Sequence, residues 1–379
     1  MQLVVAQIHC RSNRVEELSA AIDACLVQGA RGVMILACDE DGWRSELVDP
    51  LLNRVSVPLF GGSFPKLIIA GEECSQGTVV LGLACEFKTV VLSGLSLSEE
   101  AVERQLSGSK AILAGAKTIV ALVDGLSRNI ESMVDNLYSL VGRGPGVLGG
   151  GCGSLSFVQR PVVFTNRGLL ADAAVLAAFD VPHSPGVRHG WTLLEGPYLV
   201  TDSQANALHE LNYLPAYEVY REEVEKHSST KFDDADFFSI AKTYPIGMQG
   251  PDGELVVRDP LRVEGNSLIC VGEVPQHTTV YLLEGRIDKL VASAGDAAAD
   301  AMADYRKRAP DAEGATALIF NCISRCLFMG EEFNRELTAL STELGDGVSA
   351  FGALTLGEIS SSGSGAINLL NKSTVIGVF

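Results

Sequence analysis

Two cysteines are the side chains of this chain best suited to covalent chemistry, because a thiolate is a strong nucleophile. Cys152 lies in a glycine-rich turn that includes Gly150 and ends at Ser154. The backbone amides of such a turn could stabilise an oxyanion, with His189 as the general base. Cys322 is the second candidate nucleophile. A reactive thiol needs a nearby cation or helix N-terminus, and the sequence shows neither, so burial as a small apolar group is the competing interpretation.

A carboxylate within an apolar strand predicts a buried partner. Glu358 follows Gly357 in such a strand, and Arg325 stands at the end of the strand predicted to lie beside it. Because a buried carboxylate is stabilised by a cation, we expect a Glu358–Arg325 pair. The pair could brace adjacent strands or receive a zwitterionic ligand, and the sequence leaves both open.

Arginine and aromatic side chains offer further binding groups. Arg258 precedes an Asp-Pro turn. Its guanidinium would suit a ligand carboxylate, although simple exposure to solvent explains it as well. His189 and Trp191 are two residues apart on a predicted strand and therefore share one face. With Tyr213 and Tyr217 they could wall a pocket, while core packing is the alternative for Trp191.

The sequence predicts neither a cofactor nor a metal site. The glycines from Gly144 to Gly149 match the letters of a dinucleotide fingerprint. A helix precedes them and a strand follows, which is the reverse of what that motif needs. Cys322 and Cys326 are not spaced as Cys-x-x-Cys, and the six histidines show no i, i+4 spacing. We therefore expect no cofactor and no metal ion.

The elements that must position these residues form a weak internal repeat of strand, helix, strand, helix, strand, strand. Helical segments with 3.6-residue periodicity separate the strands. The third strand of each copy ends beside glycine, which indicates a bulge, or else backbone amides that line a pocket. The predicted strands are Gln2–Gln7, Gly32–Ala37, Val57–Phe60 and Thr78–Leu83 in the first copy, Thr89–Ser93, Thr118–Val123, Gly146–Gly149 and Ala173–Phe179 in the second, and Thr278–Leu283, Ala317–Asn321, Gly347–Phe351 and Thr374–Phe379 in the third.

The segment from His183 to Gln276 does not repeat. Val181–Gly186 carries two prolines and a glycine and is predicted to be a linker. Mixed strands and helices predict an α/β (α+β) fold of mixed sheets packed with helices, in two domains of residues 1–181 and 182–379. Within the non-repeating segment we predict strands at Arg188–Leu194 and Pro197–Val200, a helix at Pro215–His227 and a β-pair at Leu255–Pro260 and Ser267–Val271.

Composition excludes several classes of partner. The 379-residue chain has a formal net charge of −18. Nucleic acids and anionic membranes both require a basic footprint, so we expect neither as a partner. No apolar run is long enough to cross a bilayer, and no signal peptide is evident. Nine scattered cysteines are typical of reduced thiols, so we expect a cytoplasmic protein.

Six segments follow one another along the chain: Gly149–Ser154, His189–Trp191, Leu211–Tyr217, Ala317–Arg325 with its Phe-x-Cys-x-x-Arg pattern, Phe351–Ile359 and Asn371–Ser373. Taken in this order, they resemble the FIST family, the F-box and intracellular signal transduction proteins. Ser154 stands where the family carries an acid, which is a departure from the pattern. The resemblance implies a sensory module that binds a small ligand, such as an amino acid or a related compound, rather than an enzyme.

These patterns together predict a non-enzymatic, cytoplasmic protein that binds a small, amino-acid-like polar ligand. No output domain is recognised, so we expect a separate signalling protein or self-association to carry the signal. A cysteine-dependent hydrolase or transferase and a ligand-free interaction scaffold are the alternatives. The resemblance implies a pocket near the matching segments, and we expect its ligand-binding residues to be Gly150, Cys152, Ser154, His189, Trp191, Arg258, Arg325 and Glu358.

Overall fold

The computed structural model describes residues 3–250, 255–312, 314–361 and 365–379. Within these residues the chain has a mixed α/β fold, as the sequence predicts, with three six-stranded sheets and one seven-stranded sheet. Gln2, at which the first predicted strand begins, lies outside the described residues. Short 3₁₀ helices at Asp39–Asp41 and Gly330–Glu332 complement the α-helices and strands that follow.

The first sheet joins the first repeat to a hairpin of the second. Helices α1 (Val15–Val27) and α2 (Ser45–Leu52) pack on one of its faces. Its strands, in spatial order, are β1 (Val4–Cys10), β6 (Thr78–Leu83), β2 (Gly32–Cys38), β3 (Leu59–Phe64), β10 (Val163–Thr165) and β11 (Gly168–Leu170).

The second sheet joins the second repeat to a hairpin of the third. Helices α3 (Glu99–Gly108), α4 (Lys110–Leu113) and α5 (Ile130–Val141) pack on one of its faces. Its strands, in spatial order, are β7 (Phe87–Ser93), β12 (Ala173–Phe179), β8 (Thr118–Asp124), β9 (Gly146–Cys152), β23 (Glu358–Ser361) and β24 (Ile367–Leu370).

The third sheet joins the third repeat to a hairpin of the first. Helices α8 (Ile287–Arg308), α9 (Ile323–Met329) and α10 (Phe333–Leu344) pack on one of its faces. Its strands, in spatial order, are β13 (Ser184–Arg188), β25 (Thr374–Val378), β21 (Ala315–Cys322), β22 (Val348–Thr355), β4 (Lys66–Ile69) and β5 (Glu72–Cys74).

The three sheets have the same strand order. In each sheet the second and third strands of the repeat run parallel to each other, and all other neighbouring strands are antiparallel. Their terminal hairpins are exchanged in a cycle. The first repeat supplies β4–β5 to the third sheet, the second supplies β10–β11 to the first sheet, and the third supplies β23–β24 to the second. Every repeat therefore completes the sheet of another.

A single hydrophobic core is shared by the three sheets. Met34 on β2, Leu122 on β8 and Phe320 on β21 all belong to it. Because side chains alternate along a strand, the intervening residues face the helices of each repeat. Ile35 and Ile319 illustrate this, since they pack in the separate helix-side cores of the first and third repeats.

Close packing of strands explains the glycine of each third strand. A Cβ at Gly149 would lie 1.8 Å from the carbonyl oxygen of Ala121 on the adjacent strand. At Gly61 and Gly352 the corresponding contacts would be 2.1 and 2.5 Å. These three glycines therefore occupy equivalent positions, which gives a register for comparing the repeats.

A β-barrel is inserted between β13 and α8. Six strands pair in a closed ring in the order β14, β20, β17, β18, β19, β15 and back to β14, and β16 adds to β15. Helices α6 (Ala216–His227) and α7 (Phe237–Ala241) supply part of its core. The strands are β14 (Thr192–Gln204), β15 (Ala207–Leu211), β16 (Leu214–Pro215), β17 (Ile246–Gln249), β18 (Leu255–Glu264), β19 (Ser267–Val271) and β20 (Thr279–Glu284).

Two sequence predictions about the third repeat are wrong. Thr278–Leu283 is not its first strand, because β20 belongs to the barrel. The true first strand is β13, which lies largely within the predicted linker Val181–Gly186. Proline is tolerated there because β13 is the edge of its sheet and needs no second partner at Pro185. The domain boundary between residues 181 and 182 stays a prediction.

Candidate functional site

A cluster of buried polar side chains lies where the third sheet meets the barrel. Each member is at most 7% exposed to solvent, although most carry charges or hydrogen-bonding groups. Burial of such groups costs free energy unless each finds a partner. We call the following residues the polar cluster: Trp191, Asp259, Asn321, Cys322, Ser324, Arg325, Glu336, Thr355, Glu358, Lys372 and Ser373.

Arg325 pairs with Glu336 and not with Glu358, so the predicted Glu358–Arg325 pair is wrong. Its Nε and Nη2 donate to the two carboxylate oxygens of Glu336 at 3.0 and 2.7 Å. Its remaining hydrogen bonds go to the backbone carbonyls of His189, Leu290 and Lys372. Because α9 begins at residue 323, directly after β21, the side chain turns towards α10, which carries Glu336 on its buried face.

Glu358 is fully buried and is held by neutral groups. The Thr355 hydroxyl donates to its Oε1 at 2.8 Å, and the backbone N–H of Ser373 donates to its Oε2 at 3.1 Å. Burial raises the pKa of Glu358 to about 8, although these hydrogen bonds act to lower it. The backbone of Glu358 pairs with Gly150 on β9, which places that predicted residue at the border of the cluster.

Lys372 links the third repeat to the barrel. Its Nζ lies 3.1 Å from Oδ2 of Asp259 on β18 and donates to the carbonyl of Lys242 at 3.0 Å. The same ammonium lies 4.7 Å from the centre of the Trp191 ring, a cation–π contact. The Trp191 indole N–H in turn donates to the carbonyl of Lys372 at 3.0 Å. Both partners of this ion pair are at most 3% exposed.

Two acceptor atoms of the cluster are unsatisfied. Among the described residues, no donor reaches Oδ1 of Asp259 or Oδ1 of Asn321 with hydrogen-bond geometry. The Asn321 amide N–H₂ is already used, since it donates to Glu336 and Thr374. Burial raises the pKa of Asp259, while Lys372 acts to lower it. The cluster thus has spare capacity to accept hydrogen bonds.

The barrel is joined to the third repeat by two short connections that lie side by side. The first is residues 189–191 and the second is Gly285 with Arg286, which precedes α8. A Cβ at Gly285 would lie 2.2 Å from the Trp191 ring, so glycine is needed for this contact. Burial, and then the charge of Arg325, lower the pKa of His189 to about 4, so this histidine is neutral at pH 7.

The two candidate thiols lie in surroundings that disfavour a thiolate. Burial raises the pKa of Cys152 well above its usual value and that of Cys322 to about 12. The neighbouring carboxyl of Glu358 raises the pKa of Cys322 further. Among the described residues His189 makes no hydrogen bond to Cys152, and its Nδ1 accepts one from the backbone N–H of Trp191.

Two other predicted residues, Arg258 and Ser154, make hydrogen bonds with nearby protein groups. Arg258 is 5% exposed and donates to the carbonyls of Val257, Glu273 and Leu369, so it neither binds a carboxylate nor faces solvent. The Ser154 hydroxyl accepts a hydrogen bond within its own loop.

Five of the eight predicted residues meet at the polar cluster. His189, Trp191, Arg325, Glu358 and the backbone of Gly150 do so, whereas Cys152 and Ser154 lie outside it. Arg258 borders it through its chain neighbour Asp259. Tyr213, which was predicted to line the same pocket, is 78% exposed on the barrel.

Seven cluster residues were not predicted as site residues, and two of these seven left a signal in the sequence. Lys372 is a charged residue between apolar strands, and Glu336 falls on the apolar face of an amphipathic helix. Asn321 and Asp259 left none, since their partners come from distant parts of the chain.

Family comparison confirms the resemblance found in the sequence. The model of the FIST N domain matches residues 32–213, and that of the FIST C domain matches residues 216–361. The chain belongs to the FIST family. FIST domains are associated with signal transduction and sensory roles. No curated protein matches the FIST chain.

Two further findings concern metal binding and membrane spanning by this FIST protein. Within the described residues, no group of three or more His, Cys, Asp and Glu side chains is arranged to hold a metal ion. No described helix is long and apolar enough to cross a membrane.

Proposed function

We propose that this FIST protein is a sensory protein that binds a small, amino-acid-like ligand at the polar cluster. The observation that carries the proposal is the pair of unsatisfied acceptors, Asp259 Oδ1 and Asn321 Oδ1, inside a fully buried group of charges. An unpaired buried acceptor costs about 1–3 kcal/mol, and a ligand that donates to it recovers that cost.

The chemistry of the cluster favours a ligand with an ammonium group beside a carboxylate. Each of the two free acceptors suits an N–H donor of an ammonium group. Lys372 would serve the carboxylate, because a cation stabilises that group. Glu358, when protonated, adds a donor of its own.

The barrel would act as the moving part. Side chains of the cluster are closed to solvent, and Asp259 comes from the barrel while Lys372 comes from the third repeat. A ligand can enter only if these two parts separate, and the two short connections around Trp191 and Gly285 are the natural hinge. Ligand binding would then change how far the barrel stands from the sheet, and that change would be the signal.

Thermal-shift and calorimetric titration test this proposal. We would screen the twenty amino acids, together with amines and acids that lack one of the two groups, up to millimolar concentration. A ligand present at ~100 times its dissociation constant stabilises the folded state by about 2.7 kcal/mol, which a scan resolves. We expect an intact amino acid to stabilise the protein more than either truncated form.

Matched variants locate the site. Asp259→Asn should abolish the effect, whereas Asp234→Asn, the same change at an exposed position of the barrel, should leave it intact. Each variant is titrated below its own melting midpoint, so loss of stability is not mistaken for loss of binding. The proposal is wrong if no compound shifts the midpoint, and its location is wrong if Asp259→Asn retains full binding.

We also propose that the signal passes to a separate protein or through self-association, in the cytoplasm. The support is an exposed apolar loop between β9 and β10, in which Phe157 is 57% and Val158 63% exposed. All nine cysteines are free thiols, as a reducing compartment requires.

A further inference from the structure

A second surface lies on the face of α10 that points away from Glu336 and the polar cluster. It is a groove of about 740 Å³ between the exchanged hairpin β4–β5 of the first repeat and α10 of the third. Volumes of this order hold ligands of several hundred daltons or a few peptide residues. We call it the hairpin groove.

The wall formed by α10 presents acceptors. The Thr338 hydroxyl donates to the carbonyl of Asn334 and the Thr342 hydroxyl to the carbonyl of Thr338, both at 2.8 Å. Since a hydroxyl has a single proton, these two side chains can only accept from a ligand. Asp346, just beyond the helix, adds a carboxylate that has no ion pair among the described residues.

The hairpin wall is also acidic. Glu72 and Glu73 both line the groove. Lys66 neutralises Glu73, with 3.1 Å between its Nζ and each carboxylate oxygen, whereas Glu72 forms no ion pair within the described chain. Only Asn334 and Ser341 among the lining side chains carry donors that are not otherwise used. The groove therefore complements a ligand rich in donors and positive charge.

The hairpin also offers an open backbone edge. β5 is the last strand of its sheet. Ala70 and Gly71 form a two-residue turn with positive φ at both positions, so Ile69 and Glu72 are a hydrogen-bonded pair. In antiparallel pairing the next residue, Glu73, directs its N–H and C=O outwards. An added strand could pair there, which is a common mode of peptide recognition.

We propose that the hairpin groove binds an extended, basic peptide segment of a partner protein, which adds to the edge of β5. Its lysine or arginine side chains would meet Glu72 and Asp346. A second copy of this chain fits poorly, because each copy carries a net charge of −18. This inference is independent of the ligand proposed for the polar cluster.

Fluorescence anisotropy with a labelled (Lys-Thr)₄ peptide tests the inference on the full chain. We expect saturable binding, and at least tenfold weaker binding to the double variant Glu72→Lys/Asp346→Lys. The matched double variant Glu16→Lys/Glu103→Lys makes the same charge change at exposed positions on other helices and should bind within twofold of the original chain. All four positions are exposed, and a urea melt confirms that each variant is folded.

Two more probes separate the proposed mode from simple charge attraction. The same peptide with alternate backbone nitrogens methylated cannot pair with a strand edge, and we expect it to bind at least fivefold more weakly. Spermine should compete poorly. Equal loss in both double variants, equal binding of the methylated peptide, or efficient competition by spermine would each overturn the proposal.

Discussion

The first and third repeats share one strand topology and differ at the ends of their sheets. In the third repeat these ends hold the polar cluster. In the first repeat they carry apolar side chains, or an acid that neighbouring residues of the same repeat satisfy. The three repeats can be aligned position by position, because Gly352, Gly61 and Gly149 are equivalent and the strand pairings fix the residues around them. The positions of Asn321, Thr355 and Glu358 are filled by Ala37, Phe64 and Leu67 in the first repeat, and by Val123, Cys152 and Val163 in the second.

Two acids near the strand ends of the first two repeats, Asp41 and Asp124, are satisfied within their own repeats. Asp41 accepts hydrogen bonds from the backbone N–H of Gly77 and from the Thr78 hydroxyl. Asp124 accepts them from the backbone N–H of Leu126 and of Asp172. By contrast, the polar cluster depends on a separate unit, the barrel. The second repeat satisfies its buried Asp124 without the barrel, so the buried charges that join the third repeat to the barrel point to a role beyond stability.

The largest difference in stability between equivalent substitutions in the two repeats is expected at Lys372. Lys372→Met leaves Asp259 buried without its cation, which should lower the free energy of unfolding by about 3 kcal/mol. Gln76 occupies the equivalent place before the fourth strand of the first repeat and is exposed, so Gln76→Met should cost less than about 0.5 kcal/mol. Urea titration measures both. Equal effects of the two substitutions would remove the distinction between the repeats.

Next in size is the pH dependence caused by Glu358. The pKa of this carboxyl is about 8 in the folded protein and 4.5 in the unfolded chain, so between these values only the folded state binds the proton. Stability should therefore fall as pH rises through this range. Below pH 6.5, His183 and His189, whose folded pKa values are about 4, act in the opposite direction.

The window from pH 6.5 to 8 isolates Glu358 from those histidines. Stability should fall there by about 2 kcal/mol, at 1.36 kcal/mol per pH unit for one proton. In Glu358→Gln this slope should be largely lost. Urea melts at four pH values are sufficient, and an unchanged slope in the variant would show that another group is responsible.

The smallest effect on stability is expected when polar residues of the third repeat are replaced by apolar residues like those at the equivalent positions of the first. The double variant Glu358→Leu/Thr355→Val approximates the apolar residues found at those positions in the first repeat. Replacing buried polar groups by apolar ones of similar size is often neutral, so we expect a change within about 1 kcal/mol. Ligand binding should nevertheless be lost. A loss of several kcal/mol would mean that the polar cluster serves to hold the barrel in place.

Local patterns were enough to predict much of the fold but little of the site. Helix α6 and the β18–β19 pair were predicted within a few residues, because their periodicity is local. The pairing of Arg325 was mispredicted, since its true partner Glu336 reaches it only after α9 reverses the chain direction. The contact between Lys372 and Asp259 joins residues far apart in sequence, and no local pattern records it.

The cyclic exchange of hairpins has a consequence for protein synthesis. The hairpin β4–β5 leaves the ribosome long before its partner strand β22 is made. At ~5–20 residues per second, the interval is roughly 10–60 s. Throughout that time Leu67 and Ile68, both fully buried in the finished protein, lack their sheet. The charges of Lys66, Glu72 and Glu73 on the same hairpin would oppose aggregation of the nascent chain during this wait.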